Sequence, residues 1–393
     1  MNQLEEEERV LFDGGPPEKL QAWLGLIQQQ RPHVVRRALV AIALGWVPLL
    51  LLSAWRGQLW WQDSADTFLG DLGAHARFLI AAPALILAET ICLPRLTAMA
   101  IEFWHGGLVS SADRSQYAAT VHSTRRLMTS KLAEGLTIVL AYCAVGALAV
   151  QKTGGTVPRW FGSSGVHGIA HLEPAGWWAA LVSVPLLLTL ILGWMWRLML
   201  WTRFVWLMSK LQLRLIPAHP DHAAGLGFLS FSLRAFTPLG FVIGLLAAGP
   251  MFNQVMHQGV SPLDFKFAIA GTVVFSTLVL AAPLMFFSNR LLAAQRHGLF
   301  TYGSLALRLG RQFEKKWFAS EHTVDKESLA VPDFSATTDL YSITANVYAM
   351  RALPVDLRSL AALLIATLVP FVPLALMVAP LSVILEKVAA ALL

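Results

Sequence analysis

Charge is what this sequence has least of. Asp, Glu, Lys and Arg make up 14% of its 393 residues and hydrophobic residues 56%, whereas a soluble domain carries about 25% charged residues. The deficit excludes an ordinary soluble enzyme or binding domain. Strict alternation of apolar and polar residues is also missing, which argues against a β-barrel. Cysteine occurs twice. Cys92 and Cys143 both fall inside apolar runs, so neither a disulfide framework nor a cysteine metal site is expected. No hydrolase triad, phosphate-binding loop, haem attachment sequence or HExxH is present, so the chain reads as no enzyme and calls for no cofactor. The N-terminus is acidic (Glu5 to Glu8), unlike a signal peptide. No internal repeat supports an inverted-repeat transporter.

What is abundant is apolar sequence in runs of span length. Seven runs qualify: 38–54, 77–97, 132–150, 177–197, 236–256, 267–288 and 359–379. These predict an all-α, polytopic membrane helix bundle of about seven transmembrane helices with interfacial cytoplasmic helices. The layout is a cytoplasmic N-terminal segment (1–37), a six-span region (38–290), a cytoplasmic helical segment (291–357), and a last span with an interfacial tail (358–393). Dividing Lys and Arg between alternate loops puts 24 on one side and 6 on the other. By the positive-inside rule the richer side, which holds the N-terminus, is cytoplasmic. The net charge of +6 then reads as contact with anionic lipid, not with nucleic acid. Trp60, Trp61, Trp104, Trp177, Trp178 and Trp201 fall near span ends, as an aromatic belt does.

Glu89 stands in the second run, between Pro83 and Pro94. A carboxylate at mid-span costs ~2.5 kcal/mol or more even on lenient insertion scales, so such residues usually face a bundle interior, a partner or a water path. The prolines free backbone carbonyls that can line a polar cavity. Two readings follow: an ion or proton pathway through Glu89, or a protonated Glu89 tied to Tyr142 or Thr137 on the third span. Glu134 opens the third span, where an acid suits the helix dipole. In the fifth span, Gly240 and Gly244 form a small-xxx-small packing face, while Pro250 and Asn253 break its outer end.

Other groupings are weaker. Pro217 to Phe228 brings together His219, Asp221, His222, Gly225 and Gly227. It reads as a packed turn in which Asp221 caps the following helix, or as a gate; the crowded spacing does not suit a metal. His167 and His171, four apart, would share a face only on a helix, where with Glu173 they could bind zinc weakly; Gly165 and Gly168 oppose that helix. Residues 198–216 read as a basic amphipathic helix along the inner leaflet. In 297–356, Leu305–Trp317 reads as a second basic amphipathic helix, and Asp333 or Ser335 as the cap of a third.

The runs Phe78–Glu89, His219–Asp221 with Gly225–Phe228, Leu353–Arg358 and Val369–Leu374 together resemble an uncharacterised family of bacterial inner-membrane proteins. The resemblance implies a helical membrane fold and no activity. The expected function is an ion or small-solute conduit with Glu89 on its path. The alternative is a non-transporting scaffold or sensor that docks a partner through 297–356. A third reading is a lipid-modifying enzyme using His219, Asp221 and His222. Membrane lipid, an ion or small solute, and a second copy of the chain are the expected partners.

Overall fold

A computed structural model describes residues 2–17, 27–28, 31–32, 34–59, 67–151, 158–165, 168–318 and 332–377. Among them the elements are α1 (Asn2–Arg9), α2 (Val34–Trp55), α3 (Leu72–His105), α4 (Arg114–Met128), α5 (Lys131–Gln151), α6 (Pro174–Lys210), α7 (Phe231–Ala235), α8 (Thr237–Gln258), α9 (Lys266–Ala281), α10 (Ser288–Trp317), α11 (Asp333–Tyr348) and α12 (Leu357–Leu376). Two short antiparallel pairs, Ile27–Gln28 with Arg31–Pro32 and Gly162–Gly165 with Gly168–Leu172, are the strands. Helices α2, α3, α6, α8, α12 and the rod Pro262–Trp317 are long and apolar enough to cross a membrane. Helix α5, joined at a 45° bend to the stretch Ser111–Met128, brings the number to seven. The protein is an all-α polytopic bundle.

Helices α3 and α6 use the same device ahead of a proline. Residues His75–Ala81 of α3 and Ala179–Ser183 of α6 form π-helical turns, two residues ahead of Pro83 and Pro185. Proline lacks an N–H and its ring crowds the carbonyl four residues back; a wider turn relieves that crowding. Glycines let other helices close up. A Cβ on Gly244 would collide with the Thr367 carbonyl oxygen, and one on Gly240 would stand 2.8 Å from Leu363. The packing face expected in α8 is therefore the seat of α12.

Helices α3 and α6 hold 34 and 37 residues. At 1.5 Å per residue they run about 50–55 Å, well beyond a hydrocarbon core of about 30 Å. The excess lies at the face that carries the N-terminus. There Trp201, Phe204, Val205 and Met208 of α6 are fully buried. Trp201 and Phe204 meet the edge of Phe12, at 5.6 and 6.0 Å. This corrects the expected leaflet helix of 198–216: the i, i+3, i+4, i+7 stripe faces protein, and the chain leaves helix after Lys210. Leu213 then bridges to Val109. The expected caps of α11 are also absent, since Pro332 precedes it and Asp333 is its first residue.

Candidate functional site

Glu89 is the centre of a buried ion-pair triad. Its Oε2 lies 2.7 Å from Arg37 Nη2 and its Oε1 3.0 Å from Arg197 Nη2. The side chains of Arg37, Arg197 and Glu89 are 6%, 3% and 10% exposed. Two guanidinium groups therefore hold the carboxylate, and neither Tyr142 nor Thr137 does. The Tyr142 hydroxyl donates to the Leu181 carbonyl at 3.1 Å, and Thr137 Oγ1 to that of Glu134 at 2.8 Å. Arg37 sits in the first turn of α2. The triad thus lies near the level where that span begins, about a turn inside it, and not at its middle.

A strap formed by residues 10–17 closes the triad from the N-terminal face. Arg197 Nε donates to the Gly14 carbonyl at 3.1 Å and Nη2 to that of Gly15 at 3.4 Å. Leu11 and Phe12 are fully buried. Arg125 Nη1 donates to the carbonyls of Val10 and Asp13 at 2.7 and 2.6 Å. A Cβ on Gly193 would collide with the Pro16 carbonyl oxygen, so α6 has a glycine where the strap crosses it. The expected cytoplasmic N-terminal segment is in this part a piece of the core. On the other side of Arg37 lies a cavity of about 250 Å³ that Tyr142 and Pro17 also line.

Pro83 and Pro94 share α3 with Glu89, Pro83 buried and Pro94 exposed. Asn253 belongs elsewhere. Its Nδ2 donates to Asp71 Oδ1 at 2.8 Å and its Oδ1 accepts from Gly73 N at 3.4 Å. Trp160 Nε1 donates to Asp71 Oδ2 at 3.2 Å, and Ala74 N to Asp71 Oδ1 at 2.8 Å. Asp71, just ahead of α3, and Glu89 stand 18 positions apart, about 27 Å of rise. The residues expected around one polar site therefore divide into a triad toward one face and an asparagine–aspartate lock at the other.

The 217–228 turn is a clamp. The Asp221 carboxylate accepts from Ala223 N (2.8 Å), Gly227 N (2.8 Å) and Gly225 N (3.1 Å), and lies 2.8 Å from His219 Nδ1. Burial opposes its charge, but these hydrogen bonds outweigh it and hold the carboxyl below the usual range. Asp221 therefore braces a loop rather than capping a helix. Within the loop His222, Ala224 and Gly225 all have positive φ (53°, 56° and 93°). Arg351 fastens it to the C-terminal part, its N donating to the His222 carbonyl and Nη2 to that of Asp221, both at 2.7 Å. Asp356, the cap of α12, is treated alike: burial raises its pKa, but bonds from Ser359 and Ser230, with Arg234 beside it, hold it well below normal.

Beyond the clamp, α10 and α11 form an antiparallel hairpin. Its base is Gly298, where a Cβ would meet Pro217 and Val347. Its tip is held by Phe334 against Phe313 and Trp317, at 5.0 and 4.8 Å, and by the Lys316–Asp333 ion pair. The rod Pro262–Trp317 is 56 residues long, about 84 Å, so it reaches some 50 Å past the hydrocarbon. Arg308, Arg311 and Lys315 are exposed along it, and Phe300 is 81% exposed.

On the opposite face His171 lies in a strand and Glu173 pairs with Arg56 at 3.2 Å; His167 lies outside the described residues, as do the tail from 378 and Trp60 and Trp61. No group of metal-binding side chains forms among the described residues. Sequence reasoning missed Arg37, Arg197, Asp71 and Arg351. Arg197 carried a signal, standing in the apolar run Met195-Trp196-Arg197-Leu198; Arg37 passed as an ordinary basic flank. Compared with protein-family models, curated proteins and solved structures, the chain gives no match.

Proposed function

We propose that this is a bacterial inner-membrane protein with its N-terminus in the cytoplasm, and that it acts as a non-transporting scaffold or sensor docking a partner on its α10–α11 hairpin. The observation that carries the reading is the hairpin itself. It continues a membrane span far beyond the bilayer, is tied at its base to the Asp221 clamp, and presents Phe300 beside the exposed basic ladder Arg308, Arg311 and Lys315. Positions i, i+3 and i+7 share one helical face, so the ladder suits an acidic protein surface. Photocrosslinkers placed in cells at Phe300 and at Leu307, 57% exposed beside the ladder, with Leu278 of α9, 60% exposed on the apolar span, as a lipid-facing control, test it. A discrete adduct at both hairpin positions, lost on reversing the charges of Arg308, Arg311 and Lys315, supports it. Adducts unaffected by the reversal, or none, overturn it.

A second reading, an ion or small-solute conduit, rests on the triad. One carboxylate between two guanidiniums leaves a net positive charge next to a cavity, with a strap that could move aside. Against it stands the closure of Glu89 on both sides by arginine and backbone. Flux across reconstituted liposomes, abolished by Glu89→Gln, would favour this reading over the first.

A further inference from the structure

The cavity beside the triad points to a ligand. It lies between α2, α5 and α6, walled by Ala41, Leu44, Ile138 and Leu186 among others. Its rim is open to the apolar exterior: Leu44, Tyr142 and Leu181 are 40%, 50% and 53% exposed. In a bilayer such a cleft faces acyl chains, and close packing demands that something fill it. At about 250 Å³ it is smaller than the roughly 300–1,000 Å³ of a small-molecule pocket. From Arg37 to Leu44 it follows α2 for about 10 Å of rise. A narrow slot of that form suits a chain, not a compact solute.

Its polarity is confined to one end. The two hydroxyls of its wall are committed to backbone, Thr189 Oγ1 to the Pro185 carbonyl at 2.7 Å and Tyr142 to Leu181. Arg37 remains. It shares Glu89 with Arg197, and its Nε has no hydrogen-bond partner among the described residues. Being in the first turn of α2, Arg37 stands near headgroup depth, and the slot runs from it toward the bilayer centre. We propose that the slot binds one acyl chain of an anionic membrane lipid, with the acidic headgroup drawn to Arg37. A zwitterionic lipid of equal chain length fills the slot but lacks net charge complementarity, so headgroup preference is the signature.

Native mass spectrometry of delipidated protein titrated with phosphatidylglycerol or phosphatidylcholine of identical chains tests this. The expected result is one lipid held about fivefold more tightly as the anionic form, the attraction of one basic residue for an acidic lipid surface. Leu44→Trp narrows the mouth at a half-exposed site without touching the triad, and should weaken both lipids about tenfold. Arg37→Gln should equalise them. Equal binding of the two lipids by the unaltered protein, or unchanged binding by Leu44→Trp, would overturn the proposal.

Discussion

Removing the charge of Glu89 should be among the most costly single changes in this protein. In Glu89→Gln the shape is retained, but Arg37 Nη2 loses its ionic partner, and Arg197 loses its own while keeping the carbonyls of Gly14 and Gly15. Stripping the partner from a buried charge costs about 3–5 kcal/mol. All three side chains are at least nine-tenths buried, so solvent screening gives little relief. The expected loss is roughly a hundredfold to several thousandfold in the folded-to-unfolded ratio, since about 1.4 kcal/mol is a factor of ten. The decisive comparison is Glu89→Gln with Arg37→Met. The second change removes one unpaired cation and fills its place with apolar volume, so the double variant should regain about half of the loss. Reversible unfolding in mixed micelles measures both. A cost below about 1 kcal/mol for Glu89→Gln, or no recovery in the double variant, would refute the triad as a mutually dependent unit.

Two further outcomes follow from the geometry. Gly244→Ala places a Cβ against the Thr367 carbonyl and should cost about 1–3 kcal/mol by forcing α8 from α12; thermal unfolding reads it, and an unchanged midpoint would contradict the close contact. The Asp221 carboxyl has a folded-state pKa below its ordinary value. Its stabilisation is therefore complete above that ordinary value, about 3.9, and is lost as pH falls through the lower folded value. The stability difference between the unaltered protein and Asp221→Asn should be constant above pH about 5 and shrink on acidification. A difference that grows toward low pH would reverse the assignment.

The membrane class and the spans were legible because each rests on local physics. A run of apolar residues must be helical in lipid, and the glycine spacing of α8 encodes a close contact wherever its partner comes from. That Glu89 faces the interior and needs partners was legible too, from its burial cost alone. Its partners were not. Arg37 and Arg197 lie 52 residues before and 108 after it, and in sequence each serves equally well as a basic flank of a span. Depth was misjudged for a related reason. The apolar run 77–97 has its middle near Glu89, but α3 is longer, Leu72–His105, and its overshoot toward the N-terminal face leaves Glu89 near one end of the span. The strap escaped detection because Leu11, Phe12 and Pro16 are too few to announce a core segment. The Asp221 turn was recognisable as a compact turn from its glycines, whereas its role as the anchor of Arg351 depends on a contact across 130 residues.

The most direct test of the account is ion flux in liposomes containing the purified protein, over cations, anions and protons, compared with protein-free liposomes and with Glu89→Gln. A sealed triad and a docking hairpin predict no flux above the protein-free level in either sample. Flux in the unaltered protein that disappears in Glu89→Gln would contradict the scaffold reading and place Glu89 on a conducting path.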